Sequence, residues 1–313
     1  MRPLGGVVSA GPATMRTPNR GSVTRVMPFL MMTGNAPRVA VSPGWVENSP
    51  GSRTGLRPLL EVLHHLDLIR FLAIRDLKVR YKQAVFGVAW AVLQPLLGVA
   101  VFTIVFNRIA GVASPGVPYV VFAYVGIAGW AYLSASVNEC AECLVRYTAL
   151  VTKVYFPRAV APLASVLPGL ADLAVASVAL AVLMAVTRTA PGLPLLALPL
   201  AVLSLIIAAL AVGIWLSALN VQFRDVRLVL AFFLQLWLFI SPVVYPANLV
   251  HGGWQFVYGL NPAVGPLGLL HWSILDMPLH VAQTAESLLV AVVLLVAGLH
   301  YFQATERRFA DVI

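Results

Sequence analysis

The chain has 313 residues, of which 60% are hydrophobic and 11% are charged. Ordinary soluble domains are about 45–50% apolar and about 25% charged, so this composition excludes a typical water-soluble enzyme or binding domain. The formal net charge is +9, and the only cysteines are Cys140 and Cys143, which provide no disulfide framework. The apolar stretches approach the ~20 residues that cross a bilayer, so the sequence predicts one polytopic membrane domain.

The first 58 residues differ in composition from everything that follows. They are rich in Pro, Gly, Ser and Arg, contain a single acid, Glu47, and show no apolar periodicity. This composition predicts a disordered basic tail over residues 1–58. The apolar run at 27–32 is too short for a signal peptide and contains Pro28. Translation from a later Met is the alternative interpretation.

Residues 59–82 carry a different pattern. Apolar residues recur with the three-and-four spacing of one helix face, and basic residues gather toward the end of the segment. The pattern predicts an amphipathic helix that lies on the membrane surface and contacts anionic lipid head groups through its basic side chains. A helix packed on a soluble partner is the alternative.

Residues 83–313 predict an all-α membrane domain with six transmembrane helices. The stretch 254–275 is also apolar, but Asn261-Pro262 and Gly265-Pro266 interrupt it, which favours a re-entrant hairpin before the last span over a seventh span. The predicted spans are residues 85–106, 118–137, 159–186, 193–219, 228–245 and 287–302.

The distribution of Lys and Arg gives the orientation. With six spans, the external loops hold only Arg108 and Arg188, whereas every predicted internal segment is basic. Because Lys and Arg concentrate in short cytoplasmic loops, both termini are expected in the cytoplasm. The segment 246–286 contains no Lys or Arg, as expected of an external loop.

The sequence has no motif for nucleotide or metal chemistry. The only lysines are Lys78, Lys82 and Lys153, and none follows the Gly-rich loop that would cradle phosphates. The histidines lack the spacing of a metal site, and Cys140 and Cys143 lie on one helix face without further ligands, which favours helix packing over metal binding. We therefore predict no catalytic residues, no metal and no nucleic-acid partner.

Several strings agree in order and spacing with one family of transporters. They are RDLKVRYK at 75–82, GVAW at 87–90, LQPL at 93–96, VPY at 117–119, LVTKVYFPR at 150–158, ALNVQFRDVR at 218–227, SPVVYP at 241–246 and the end of the chain from Tyr301. Together they resemble the ABC-2 type permeases that export polysaccharides and polyol phosphates. The resemblance covers residues 60–313, so only the basic tail departs from it.

This resemblance implies a homodimer that works with two copies of a separate ABC ATPase. ATP and Mg²⁺ would be bound by the ATPase, and this chain would hold no cofactor. The implied substrate is a lipid-linked glycan of the O-antigen, capsule or teichoic acid type. The implied location is the inner or plasma membrane of a bacterium.

A partner ATPase requires a docking segment on the cytoplasmic side, and residues 144–157 fit this requirement. The segment is a short helix candidate between the second and third spans, and it ends at Pro157. A solvated basic loop is the alternative. The predicted docking residues are Arg146, Tyr147, Lys153, Tyr155 and Phe156.

The predicted substrate path combines basic and aromatic residues. Arg75, Lys78, Arg80 and Lys82 are expected where the substrate enters from the membrane surface. Aromatic rings stack on the apolar faces of sugars, although Trp and Tyr also form interfacial belts and Phe packs against lipid or neighbouring helices. The candidate channel residues are Trp90, Tyr119, Phe122, Tyr124, Trp130, Phe233, Trp237 and Tyr245.

Asp172 falls inside the third predicted span. An acid there costs about 2.5–3.5 kcal/mol on insertion scales, so it is expected to face a partner or a wet cavity. A hydrogen-bonded acid within helix packing is the alternative.

Two other functions are compatible with parts of the sequence. An ABC-2 exporter of drugs or small lipids would share the fold but would not need the basic helix or the aromatic residues. A membrane-embedded transferase would need an Asp/His cluster, and His271, Asp276 and His280 are the nearest approach to one.

Overall fold

The computed structural model describes residues 66–82, 87–112, 114, 116–147, 158–223 and 225–312, without the side chains of 87–91 and 306–312. All regular structure in these residues is helical, which confirms the all-α prediction. The predicted basic tail, residues 59–65, most of the predicted docking segment and Arg224 lie outside the described residues.

Ten α-helices follow one another along the described chain. A π-helical segment, Thr103–Ile109, continues α2, and a 3₁₀ segment, Leu193–Ala197, leads into α6. The helices are α1 (Leu66–Lys82), α2 (Gly87–Phe102), α3 (Tyr119–Arg146), α4 (Val160–Ser165), α5 (Gly169–Thr187), α6 (Leu198–Gln222), α7 (Val226–Ile240), α8 (Trp254–Gly259), α9 (Val264–Leu275) and α10 (Val281–Val312).

Five helical stretches in the described residues are long and apolar enough to cross a membrane. They coincide with the first four and the last of the predicted spans, and this agreement makes the chain a multi-pass membrane protein. The remaining predicted span, 228–245, falls on α7, which has 15 residues and is about 22 Å long. The stretches are Val92–Ile109, Tyr119–Arg146, Val160–Thr187, Leu193–Gln222 and Val281–Thr305.

Helix α3 is the centre of the fold, and α6 packs along its length. Small residues allow close approach of the two helices, as is usual between helices in membranes. The side chain of Cys140 lies against Gly213, and the Cys143 Sγ is 3.5 Å from the Ser217 Oγ. Both cysteines are buried at this contact, which is the packing role that the sequence favoured.

Helix α1 makes an apolar contact with the spanning helices. Leu72 is fully buried against Val160 and Ala164 of α4. Phe71 and Ile74 remain exposed on another part of its surface. The predicted amphipathic helix is therefore helical over its described part and has apolar side chains that its own subunit does not cover.

Residues 241–246, which directly follow α7, are irregular but largely buried. Ser241, Val243 and Val244 have no exposed surface, and the Tyr119 hydroxyl donates a hydrogen bond to the Val244 carbonyl (2.6 Å). The segment lies so close to α3 that a Cβ at Gly126 would be 2.0 Å from the Val243 carbonyl oxygen. Irregular backbone at membrane depth is tolerated where protein surrounds it, and these contacts meet that condition.

Asn261 forms a set of hydrogen bonds at the break between α8 and α9. Its side-chain oxygen accepts hydrogen bonds from the Trp237 indole (2.8 Å) and the Ala263 amide (3.0 Å). Its amide nitrogen donates to the Ser241 hydroxyl (3.0 Å), and its carbonyl accepts from Ser287 of α10 (2.7 Å). The Asn-Pro break noticed in the sequence is therefore a junction of α7, α9 and α10.

We predict that Gly126→Ala destabilises the protein by about 1–3 kcal/mol, because the new methyl group would collide with backbone that cannot move independently. Gly98→Ala is the matched control, since a Cβ there would lie 3.6 Å from Ile127, an ordinary contact. Chemical unfolding of both variants in detergent micelles measures the difference. Equal stability of the two variants would show that the buried segment does not pack on α3 in this way.

Candidate functional site

Six charged side chains form a row of ion pairs, with alternating sign, at one end of the helical domain. Arg80 of α1 pairs with Asp172 of α5 and, at 2.9 Å, with Glu139 of α3. Arg146 pairs with the same Glu139 and lies 3.8 Å from Glu142. The order Asp172, Arg80, Glu139, Arg146, Glu142, Arg227 places opposite charges next to each other, and we call this set the charge ladder.

Arg227, from the first turn of α7, ends the charge ladder 2.9 Å from Glu142. Its side chain is 68% exposed, whereas those of Arg80 and Glu142 are only 27% and 21% exposed. Exposed pairs contribute about 0–1 kcal/mol, and breaking a buried pair costs several times more. The charge ladder therefore holds α1, α3 and α5 more firmly than it holds α7.

Tyr81 supports Asp172 from the same helix as Arg80. Its hydroxyl donates a hydrogen bond to the carboxylate of Asp172. Burial, this hydrogen bond and the negative charge of Asp172 raise the pKa of Tyr81 to about 12, so the phenol remains a donor at neutral pH. Asp172 thus has two partners from α1, and one of them is a cation.

The pKa of Arg80 also reflects its surroundings. Burial lowers it, but the charges of Asp172 and Glu139 and the hydrogen bonds to them outweigh burial and leave it above the ordinary value. The guanidinium is therefore charged at any physiological pH, and it is committed to two carboxylates.

A second contact joins α1 to the end of α3. The Tyr147 hydroxyl donates a hydrogen bond to Asp76, and Arg75 donates two to the same carboxylate, at 2.9 and 3.1 Å. The Arg75 guanidinium also lies 4.7 Å from the centre of the Tyr147 ring. The end of α3, which is also the start of the segment 144–157 that was predicted to dock, is therefore fixed to α1.

The structure changes the account of the docking residues. Tyr147 is 3% exposed and bonded within the chain, so it is not an exposed anchor for a partner. Arg146 is partly exposed but belongs to the charge ladder. Lys153, Tyr155 and Phe156 lie outside the described residues, and their docking role stays a prediction.

The four basic residues predicted at the substrate's point of entry divide into two pairs. Arg75 and Arg80 bind carboxylates of this chain and are not free to hold an anionic substrate. Lys78 and Lys82 are exposed. Of the four predicted residues, only Lys78 and Lys82 therefore have the exposure that contact with a substrate requires.

Most of the predicted channel aromatics are core residues. Tyr119, Phe122, Tyr124 and Trp130 are at most 6% exposed. The Tyr124 hydroxyl donates to the Ala176 carbonyl (3.1 Å), and Trp130 packs edge-on against Trp237. Burial within one subunit contradicts a channel role for these residues.

The remaining members of that set differ in position. The side chain of Trp90 lies outside the described residues. Tyr245 is partly buried, and its hydroxyl donates to the Phe239 carbonyl (3.1 Å). Phe233 is 43% exposed on α7, so it is the one clearly exposed side chain among the described members.

The residues of the transferase alternative do not assemble into a site. His271 is 5% exposed, and its two ring nitrogens lie 2.9 Å from the Leu267 carbonyl and 3.2 Å from the Phe122 carbonyl. Asp276 ends α9 in a left-handed conformation. Among the described residues, no group of three His, Cys, Asp or Glu side chains could hold a metal ion.

Sequence reasoning missed Glu139, Glu142 and Asp76. A usable signal was present, because Glu139, Glu142 and Arg146 follow one another at spacings of three and four on one helix. Acids are scarce in this chain, 12 in total, so an acid within a membrane helix points to a basic partner on a neighbouring helix.

We predict that Arg80→Gln lowers the free energy of unfolding by about 1–3 kcal/mol, because it leaves Asp172 and Glu139 close together without their shared cation. Lys82→Gln removes the same charge from an exposed position of the same helix and is expected to change it by less than about 0.5 kcal/mol. Chemical unfolding of both variants measures this. A similar loss in both would contradict the stabilising role of the charge ladder.

Comparison with known proteins identifies the family. The family described as ABC-2 type transporter matches residues 67–275, which include α1 through α9. A Myxococcus xanthus O-antigen export system permease protein RfbA is 29% identical over 261 residues, 82% of this chain and 100% of that protein. A Klebsiella pneumoniae protein of the same name is 27% identical over 79% of this chain and 95% of its own length. The chain therefore belongs to the ABC-2 type transporter family of membrane proteins.

Proposed function

We propose that this chain is the permease subunit of an ABC exporter that moves a lipid-linked polysaccharide of the O-antigen type across the plasma membrane of a bacterium. The observation that carries the proposal is the similarity to O-antigen export permeases, which extends over 95–100% of their length. Among the three glycan classes that the sequence left open, these relatives favour O-antigen.

ATP hydrolysis is assigned to a separate ABC ATPase, present in two copies beside a homodimer of this chain. The absence of a P-loop from the sequence supports this division. Docking is assigned to the predicted segment, residues 144–157, with Lys153, Tyr155 and Phe156 as its remaining candidate anchors. Helix α3 leads directly into this segment and is attached to α1 and α5. A movement of the segment would therefore be transmitted to both of these helices.

We place six crossings in the membrane, with α7 and the buried segment after it forming the fifth. A helix of about 22 Å is shorter than the ~30 Å hydrocarbon core, but residues 241–246 continue the chain inside the protein as turns and bends. The α8–α9 pair, joined through Asn261, then forms the re-entrant hairpin before α10.

The homodimer contact is assigned to the exposed face of α7. Leu230 and Trp237 are its only buried residues, whereas Leu228, Phe232 and Phe239 are 77%, 64% and 50% exposed. A second copy packed near this face would enclose Phe233 and its aromatic neighbours between subunits. The glycan path is therefore placed along α7, and the buried rings of α3 are excluded from it.

Lys78 and Lys82 remain the candidates for attracting an anionic lipid carrier to the membrane surface. They are exposed on α1, and so are the apolar side chains of Phe71 and Ile74. This arrangement suits a helix at the interface between head groups and acyl chains.

Reporter fusions after residues 114, 188, 276 and 313 test the six-crossing topology. External signals are expected from the first three and a cytoplasmic signal from the last, because the basic segments lie inside. A cytoplasmic signal after Asp276 would place the α8–α9 pair on the other side and would contradict the re-entrant assignment.

Deletion of the gene for this chain in its native host is expected to abolish display of the surface polysaccharide, with undecorated carrier-linked glycan accumulating inside. Immunoblotting of intact cells and of lysates distinguishes loss of export from loss of synthesis. A wild-type copy should restore display. Unchanged display after deletion would contradict the proposed function.

A further inference from the structure

Helix α7 has a hydrogen-bonded Trp near its end and a solvent-exposed ion pair at its start. Near the end, the Trp237 indole donates a hydrogen bond to Asn261 (2.8 Å). At the start, Leu230 is buried and Arg227 pairs with Glu142 of α3 at 2.9 Å. About 15 Å of helix separates Arg227 from Trp237. If the ion pair opened, the start of α7 would move while Trp237 held the other end.

The carboxylate of Glu142 lies between two guanidinium groups. Arg227 of α7 is 2.9 Å away, and Arg146, one turn further along α3, is 3.8 Å away. Arg146 makes a closer ion pair with Glu139, which precedes Glu142 by one turn. The three side chains of α3 follow one another at spacings of three and four. Arg146 can therefore turn from one acid to the other by a rotation of its own side chain, without movement of the backbone.

This exchange leaves each of the acids involved with a cation. Glu139 keeps Arg80, at 2.9 Å, when Arg146 turns away from it. Glu142 gains Arg146 as it loses Arg227. The side chain of Arg227 passes into water, and it is already 68% exposed. Breaking an ion pair is costly when it leaves a buried charge unpaired, and this exchange leaves none.

We propose that the Glu142–Arg227 ion pair is a latch on α7, and that Arg146 opens it by exchanging Glu139 for Glu142. With the latch closed, the start of α7 is held against α3. With the latch open, the start of α7 separates from α3 and the helix pivots about Trp237.

The latch would couple ATPase docking to the glycan path, a role that rests on the proposed function. Arg146 is the last residue of α3, is 39% exposed and belongs to the predicted docking segment. An ATPase docked on this segment would therefore act on the side chain that opens the latch. Helix α7 carries the exposed Phe233, and the glycan path is placed along it. Release of its start would widen the cytoplasmic entrance of that path.

Hydrogen–deuterium exchange of the purified full-length chain in lipid nanodiscs measures how firmly the start of α7 is held. Arg227→Gln removes the latch at an exposed position, so amides of residues 228–236 are expected to exchange about three- to fivefold faster than in the wild type, as for loss of an exposed pair. Arg146→Gln removes the competing cation and leaves Glu142 to Arg227. The same amides are then expected to exchange about twofold slower.

Arg108→Gln is the matched control. It removes an exposed Arg from the π-helical continuation of α2, outside the charge ladder, and should leave the exchange of residues 228–236 unchanged. The opposite signs expected for Arg146→Gln and Arg227→Gln distinguish a latch from a ladder that only stabilises, because loss of either Arg would then weaken protection.

Two results would overturn the proposal. Unchanged exchange in Arg227→Gln would show that the ion pair does not hold α7. Faster or unchanged exchange in Arg146→Gln would show that Arg146 does not compete for Glu142. Neither result bears on whether the chain exports a glycan, since surface display in the deletion strain decides that. Loss of display in that strain, together with either result, would reject the latch alone.

Discussion

Pairing of charge at the edge of an apolar domain is the constraint on which the arrangement of this protein depends. Arg80 lies between Asp172 and Glu139, and through them it joins α1, α5 and α3. Asp172 and Glu139 lie in apolar helices, where an unpaired charge is costly, and Arg80 supplies the cation that both of them face. The partners must therefore stay together, and α1 is held to the spanning helices by charge as well as by the buried Leu72.

The opposite end of the domain depends on satisfied backbone instead. Asn261 binds groups from α7, the segment after it and α10, and so supplies hydrogen-bond partners at the breaks in these elements. The close contact at Gly126 fixes the same segment to α3. One end of α3 is thus anchored by ion pairs, and the other by hydrogen bonds around irregular chain. In the exporter that we propose, such a helix would carry a displacement from a docked ATPase at one end to the glycan path.

Sequence reasoning recovered what hydropathy and charge determine locally. The spans on α2, α3, α5, α6 and α10 and the break at Asn261 are visible because apolar length and Pro-containing breaks are properties of short segments. It could not decide which aromatics are buried, since Tyr124 and Phe233 occupy equally apolar surroundings in the sequence. It placed Tyr147 on a surface because its partner Asp76 is distant along the chain. Contacts of this kind depend on how the helices pack.

Hydrogen–deuterium exchange of Asp172→Asn measures most directly whether the charge ladder fastens α1 to the membrane domain. We expect amides of residues 66–82 to exchange about tenfold faster than in the wild type, because α1 loses the carboxylate bound by Arg80 and Tyr81. Amides of α6, which the ladder does not touch, should be unaffected. Unchanged exchange in α1 would contradict the account and would leave the packing of Leu72 as the contact that holds this helix.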